Sequence, residues 1–329
     1  MNRSSYADVD LPDAVRQRAI AASSHAWLDA LPNLITELCS EWQLTRGRTY
    51  REATEAFVAD VTRADGSAAV LKILLPSEAH DASQEIAVLR LAGGVGCPQL
   101  FTADEARGAL LLERLGRSMA ELDLSLAERR MHLTDAARQL WRRIPQQNFT
   151  NGAAKGFWLK ELIEQHWQKL GQPCSRIVID HALQCADQRI AAHHDRRAVL
   201  VHGDIHAWNA LEVSQAAQGA SRFKLVDPDG LYAEAEYDLG VILREDPEEL
   251  LQIAECNGAD GAFSASWQAA RELSVATNCD PTAIWQWAFI ERVSTGLVCN
   301  EIGVQPVGSD MLSAAEAIVS AGTFHYANQ

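Results

Sequence analysis

Cations are the scarce class in this 329-residue chain: 29 Lys and Arg stand against 44 Asp and Glu, a formal net charge of −15. A broad nucleic-acid or anionic-membrane surface needs a local excess of cations over phosphates, so neither partner is expected. A cationic small molecule is favoured instead. Close cysteine pairs are also missing: the seven Cys, at 39, 97, 174, 185, 256, 279 and 299, are odd in number and scattered. That argues against a zinc knuckle or a redox dithiol and for a reducing, cytoplasmic setting. No stretch approaches the roughly 18 uncharged apolar residues of a membrane span, and the segment before Leu11 carries Asp8 and Asp10 without an apolar run, so no signal peptide is expected either. Internal repeats, low-complexity linkers and a Gly-x-Gly-x-x-Gly loop are absent.

What is present is core material. Apolar residues make up 47% of the chain, enough for a core that usually divides into two lobes at this length. Trp27, Leu31, Leu34 and Leu38 fall at steps of four, three and four, which predicts an amphipathic helix. Strand-like sequence over 53–62, a turn at Ala64-Asp65-Gly66 and the run Ala68-Ala69-Val70-Leu71-Lys72-Ile73-Leu74 predict a β-hairpin. A helix over 77–91 carries Glu85, and strands over 99–103 and 109–115 follow. Beyond residue 115 helical spacing dominates, over 125–144, 158–170, 176–196, 282–297 and 309–320, with Ser309 as a cap for the last. Short strands return only at 198–201, 210–213 and 223–226. The expectation is an α+β chain of two lobes, a mainly antiparallel sheet lobe over 1–115 and a mostly helical lobe over 116–329.

The densest polar cluster in apolar surroundings is His202-Gly203-Asp204-Ile205-His206-Ala207-Trp208-Asn209, followed by Asp227-Pro228-Asp229-Gly230. A hairpin through 210–226 would bring its two carboxylates and one amide together. A hard cation such as Mg²⁺ takes oxygen ligands and keeps waters, so Asn209 and Asp227 suffice beside substrate phosphates, and Asp204 is left to accept or orient a hydroxyl proton. The competing reading makes Asp227-Pro228-Asp229-Gly230 a plain turn and Asp204 a cap. His202 and His206, four apart, raise zinc, but a zinc peptidase wants Glu after the first His on a helix, and Gly203 stands there. His202 reads better as a buried organiser of the loop, and His206 as a loop residue near metal or substrate. Lys72 is either a snorkelling strand lysine or a cation fixed by Glu85 against nucleotide phosphates.

These segments resemble the aminoglycoside phosphotransferase family, within it the streptomycin 6-kinase and hydroxyurea phosphotransferase group. The resemblance runs over nearly the whole chain. It is carried by Trp42-Gln43-Leu44, by Ala56-Phe57-Val58, by the run from Thr62 to Lys72 and by Arg107-Gly108-Ala109-Leu110-Leu111-Leu112-Glu113-Arg114-Leu115-Gly116. The His202 to Asn209 cluster, Asp227-Pro228-Asp229-Gly230-Leu231 and Glu236-Tyr237-Asp238-Leu239-Gly240 complete it. It implies a protein-kinase-like fold and an ATP-dependent phosphotransferase with Mg²⁺, GTP being an alternative donor. By the same resemblance Lys72 holds the α/β-phosphates with Glu85 as its partner, and Glu113, Arg114 and Leu115 form the hinge that meets adenine. Asp204 is then the catalytic base, and Asn209 and Asp227 are the Mg²⁺ ligands.

Two departures stand beside the match. Ala207-Trp208 replaces a common Pro-Gly, so that the indole of Trp208 either covers the site or packs under it. Asp229 replaces a lysine or an uncharged residue. The acceptor expected is a small cationic compound with a free hydroxyl, streptomycin first. His206, the carboxylates Asp229, Glu234, Glu236, Glu291 and Glu301, and the indoles Trp267, Trp285 and Trp287 are its candidate contacts, each indole being more readily core than pocket. Another sugar, amino sugar or hydroxyurea is the alternative acceptor, and a non-catalytic kinase-like binding protein the alternative class. A monomer or weak dimer is expected.

Overall fold

A computed structural model of the chain describes residues 10–76, 82–144, 149–214, 221–245 and 247–321. Two compact units divide at Gly116, the first also taking in the short segment from Glu212.

In the first unit, helices α1 (Asp13–Ala21) and α2 (His25–Glu41) precede five antiparallel strands. These are β1 (Thr45–Thr49), β2 (Ala56–Thr62), β3 (Ala68–Leu74), β4 (Leu100–Asp104) and β5 (Ala109–Glu113), in the order β1-β2-β3-β5-β4, with α3 (Ala82–Ala92) inserted after β3. Residues alternate faces along a strand, so Ala69, Leu71 and Ile73 of β3 all enter the core with Leu31, Ile35 and Leu38 of α2. Lys72 lies on the opposite face, paired in register with Val58 and Leu110. The predicted α2 stripe shifts slightly, because Ile35 is buried where Leu34 is only half-buried. Strand β1 was not anticipated before the strand-like sequence over 53–62. The predicted start of α3, residues 77–81, lies outside the described residues.

The second unit is mostly helical. Its helices are α4 (Leu126–Leu140), α5 (Gly152–Lys169), α6 (Arg176–Ala192), α7 (Glu236–Arg244), α8 (Pro247–Thr277, interrupted at Gly258, φ 70°), α9 (Pro281–Glu301) and α10 (Val307–Val319). Among them β6 (Thr150–Asn151), β10 (Leu231–Ala233) and β7 (Val199–Val201) form a small sheet in that order, and β8 (Ala210–Glu212) pairs with β9 (Phe223–Leu225). The cap of α4 is a reciprocal box between Ser125 and Glu128. Ser309 is not a cap: α10 begins two residues before it, and its hydroxyl bonds back to the Pro306 carbonyl. Helix α7 escaped the periodicity reading because every residue from Glu236 to Arg244 is buried, which leaves no polar face to read. It lies hard against α9 at Gly240, where a Cβ would come within 2.4 Å of the Trp287 Cβ.

Among the described residues no helix is long and apolar enough to cross a membrane.

Candidate active site

Lys72 and Glu85 meet in the first unit. The Nζ of Lys72 donates to both Glu85 carboxylate oxygens, at 2.7 and 2.8 Å, and both residues are buried. Burying an ammonium in a mostly apolar strand is costly, and the carboxylate on α3 offsets that cost. At the end of β5, Glu113 is tied down through its carboxylate, which accepts from the Gln99 N–H at 2.9 Å. Arg114 extends toward Asp60 at 3.8 Å. Among the described residues none hydrogen-bonds the main chain of Arg114 or Leu115.

The second unit gathers the other group. Strand β7 delivers His202 into the core, where its Nε2 donates to the Val226 carbonyl at 2.9 Å and its Nδ1 accepts from the Asp204 N–H at 3.3 Å. Both ring nitrogens are spent, so neither is left to ligate zinc, and no cluster of three His, Cys, Asp or Glu that could hold a metal occurs among the described residues. Gly203 turns the chain at φ +96°, and its α-carbon sits where a Cβ would come within 2.8 Å of the Asp229 Cβ. Only glycine meets both demands.

Beneath this turn the fully buried Asp238 of α7 accepts from the N–H groups of His202 and Gly203, at 3.1 and 3.0 Å, and from the Trp141 indole at 2.8 Å. Burial raises its pKa, against the pull of those donors. The sequence held one signal for it, a lone carboxylate between apolar neighbours in Tyr237-Asp238-Leu239, and no structural role was read from it.

Asp204 leaves the turn with its carboxylate surrounded by donors. Arg244, at the end of α7, reaches Oδ1 at 2.5 Å; His206 lies 3.2 Å from Oδ2, and the Asn209 amide donates to Oδ2 at 3.3 Å and to the Asp204 carbonyl at 3.1 Å. Burial works to raise the Asp204 pKa, but Arg244 and His206 outweigh it and hold the carboxyl well below the usual range. His206 is raised in turn: burial opposes its charge and Asp204 more than restores it. Arg244 is itself braced by Glu291 of α9 at 3.3 Å, and Glu291 accepts the Tyr237 hydroxyl. Arg244 escaped the sequence reading because nothing in its neighbourhood marks a partner 40 residues upstream.

Asn209 and Asp227 come together across the β8–β9 hairpin, through the Val226 N–H bond to the Asn209 carbonyl at 2.8 Å. The Asn209 nitrogen is committed to Asp204, which leaves its amide oxygen as the atom that could take a metal. Asp227 is exposed, in the left-handed region at φ 58°, a conformation short polar residues tolerate best. One amide oxygen and one carboxylate suit Mg²⁺, which takes few protein ligands beside phosphates. These residues fit that ion.

The candidate acceptor contacts fare differently. Glu234 pairs with Arg189 at 3.1 Å and accepts the Trp287 indole at 2.8 Å. Glu236 faces Arg197 at 3.5 Å and accepts the Asp280 N–H; Glu291 holds Arg244; Glu301 binds Lys169 and His166. Asp229 has Lys155 at 3.9 Å. The carboxylates offered for a cationic acceptor are therefore engaged by the protein's own cations. Trp267, Trp285 and Trp287 are core, at 8%, 2% and 1% exposure. Trp208 neither packs under the loop nor is buried, being 61% exposed, while Ser118 anchors the adjoining Ala207 carbonyl at 2.9 Å.

A family profile described as aminoglycoside/hydroxyurea antibiotic resistance kinase matches residues 41–303. The streptomycin 6-kinase of Streptomyces glaucescens is 27% identical over 284 residues, covering 80% of this chain and 89% of that protein. A hydroxyurea phosphotransferase of Kitasatospora aureofaciens is 36% identical over 110 residues, 33% of this chain and 32% of its own length. Among solved structures, choline kinase LicA from Streptococcus pneumoniae superposes with a TM-score of 0.56 at 14% identity, over 88% of this chain and 99% of that one. A thermostable mutant of aminoglycoside phosphotransferase APH(4)-Ia gives 0.52 at 12% identity, over 87% and 98%. The structures speak for the fold; the profile spans most of the chain. This protein belongs to the aminoglycoside/hydroxyurea antibiotic resistance kinase family and is a small-molecule phosphotransferase with the protein-kinase-like α+β fold.

Proposed function

We propose that the protein transfers the γ-phosphoryl group of ATP to a hydroxyl of an aminoglycoside, streptomycin at its 6-position first, with antibiotic resistance as the consequence. The observation that carries this reading is the Asp204 carboxylate, held well below its usual pKa and fixed by Arg244, His206 and Asn209. Lys72, clamped by Glu85, offers its ammonium to phosphate oxygens. Mg²⁺, when bound at Asn209 and Asp227, supplies neutralising charge on nucleotide phosphates. Asp204 accepts the hydrogen bond of the incoming hydroxyl and aligns it. A carboxylate held this far below its usual pKa is a weak base, which suits a loose transition state in which the proton leaves late. GTP is an alternative donor, since main-chain contacts at Arg114 and Leu115 would meet either purine.

The internal pairing of Glu234, Glu236, Glu291, Glu301 and Asp229 favours a second acceptor class, a neutral hydroxyl compound such as hydroxyurea, over recognition by bare carboxylates. Purified protein with ATP and Mg²⁺ should release ADP in the presence of streptomycin, and mass spectrometry should find phosphate on it. Phosphate on hydroxyurea or a neutral sugar, with none on streptomycin, keeps the kinase and discards the antibiotic. No nucleotide-dependent transfer to any of these acceptors discards the catalytic reading.

A further inference from the structure

Two arginines of the first unit lay their guanidiniums over aromatic rings, Arg48 over Tyr50 at 5.2 Å and Arg63 over Phe101 at 4.5 Å. Among the described residues Arg114 lies over no ring, and no hydrogen bond holds its side chain. That side chain is 47% exposed, and its ion-pair partner Asp60 stands at 3.8 Å, beyond hydrogen-bond reach. The strand register fixes where it runs. Paired residues of antiparallel strands share a face, so Lys72, Val58 and Leu110 lie on one face, and alternation adds Ala68 and Val70 of β3, Asp60 of β2 and Leu112 of β5. Arg114 follows Leu112 by two, whereas Asp60 lies on β2, with β3 in between. The Arg114 side chain therefore crosses β3 on the Lys72 face, where Ala68 and Val70 leave it room.

At the far end of this crossing Asp60 is fixed. Its carboxylate accepts from the Tyr50 hydroxyl at 2.7 Å and from the Arg48 Nε at 3.2 Å, and Gly47 packs so closely that a Cβ would come within 3.1 Å of the Asp60 Cβ. Burial, and then Asp60 itself, push the Tyr50 pKa up to about 12, so the hydroxyl keeps the proton it donates. A nucleotide whose phosphates reach Lys72 and whose base meets the 114–115 main chain, as proposed above, lays that base along the same stretch of sheet. A guanidinium is planar, always charged and weakly hydrated, and it stacks on aromatic faces. A purine offers such a face whatever groups its edges carry.

We propose that Arg114, aimed by Asp60, stacks its guanidinium on the purine base of the phosphoryl donor and so holds adenine and guanine alike. This rests on the kinase reading and deepens it, giving the side chain of Arg114 a role beside its main chain and making Asp60 a positioning residue.

Calorimetric titration of the full chain with the magnesium salts of ATP, GTP and tripolyphosphate separates base from phosphate. Arg114→Met should weaken ATP and GTP by a similar factor, roughly 5–30-fold, and leave tripolyphosphate within about twofold of the wild type. Arg114→Lys restores the charge without the planar face and should recover only part of the loss. Asp60→Asn should weaken both nucleotides by roughly 2–5-fold in the wild type and no further in the Arg114→Met background, because it acts through Arg114. The proposal is overturned if Arg114→Met binds ATP as the wild type does, if tripolyphosphate weakens as much as ATP, or if Arg114→Lys recovers the full affinity. An equal effect of Asp60→Asn in both backgrounds overturns its positioning role. These results leave the kinase reading standing, whereas a wild-type chain that binds neither nucleotide removes both.

Discussion

The two charged centres of this kinase are built on opposite plans. In the first unit Lys72 is clamped at close range by a carboxylate only 13 residues later in the chain, strand to following helix. In the second unit Asp204 is fixed by Arg244, which depends on Glu291, which is bonded by Tyr237, all on helices α7 and α9. The first arrangement presents a cation; the second keeps a half-buried anion ionised and aims it. If Lys72 meets phosphate charge as proposed, a simple clamp is enough for it. If Asp204 aligns a hydroxyl as proposed, its oxygens must be held in a fixed plane, and that takes donors from several directions.

The sharpest way to break the comparison is at the aligned carboxylate. Asp204→Asn keeps the shape and loses the charge, and should lower turnover by about 10²–10⁴-fold while nucleotide affinity stays near that of the wild type. Single-turnover transfer together with a fluorescent-nucleotide titration checks both halves. Turnover within threefold of wild type would remove Asp204 from the chemistry.

Next comes its brace. Arg244→Met strips the counter-ion from both Asp204 and Glu291 and should destabilise the second unit by roughly 3–5 kcal/mol, the usual result of orphaning a buried charge. Arg244→Lys should recover much of the stability but less of the turnover, because a point charge cannot reproduce the guanidinium's reach to two carboxylates. Equal recovery of both in the lysine variant would reduce Arg244 to charge balance alone.

The contrast also explains what could be read in advance. Lys72 and Glu85 stand on adjacent elements whose periodicity is plain, and the strand predicted over 68–74 matches β3. The family and the α+β fold followed from motifs that are contiguous in sequence. Asp204 and Asn209 share one short loop, and the structure brings them into contact. Arg244 and Asp238 sit on a helix buried on every side, so no amphipathic pattern announces the helix and none singles out the two residues that hold the turn from His202 to Asp204. The carboxylates proposed for the acceptor failed for a related reason. An acidic residue looks available in sequence until its partner arrives from elsewhere in the chain, as Arg189 does for Glu234.

A third prediction concerns a neutral counterpart to these charged networks. His181 packs edge-on against Trp285 and Phe289, and burial depresses its pKa to about 4 from 6.5. Between those values the unfolded chain binds a proton that the folded protein refuses, so stability falls as pH drops from about 6.5 to about 4 and changes no further through this group below that. The loss should reach about 2–3 kcal/mol. Denaturant midpoints at pH 7.5 and 5 should diverge in the wild type and converge in His181→Phe. An unchanged pH slope in the variant would place the acid sensitivity elsewhere.

The smallest effect is expected at Asp229, and it bears directly on the acceptor. This residue lies two after Asp227 and packs against Gly203, close enough to the proposed base Asp204 to suggest a contact with a cationic substrate. Lys155 stands 3.9 Å away, over the Trp158 ring at 4.4 Å, and already provides a positive charge. A partly exposed pair of this kind is worth at most about 1 kcal/mol, so Asp229→Asn should change the KM ratio of streptomycin to a neutral hydroxyl acceptor by no more than about fivefold. Lys155→Met gives the complementary test: it leaves Asp229 less neutralised and should lower KM for the cationic acceptor alone. A tenfold or larger rise in the streptomycin KM in Asp229→Asn, with the neutral acceptor unaffected, would mean that substrate displaces Lys155 and that Asp229 reads the acceptor's charge. If both variants leave the ratio unchanged, Asp229 is confined to packing against the turn, and acceptor choice belongs to groups that are not carboxylates.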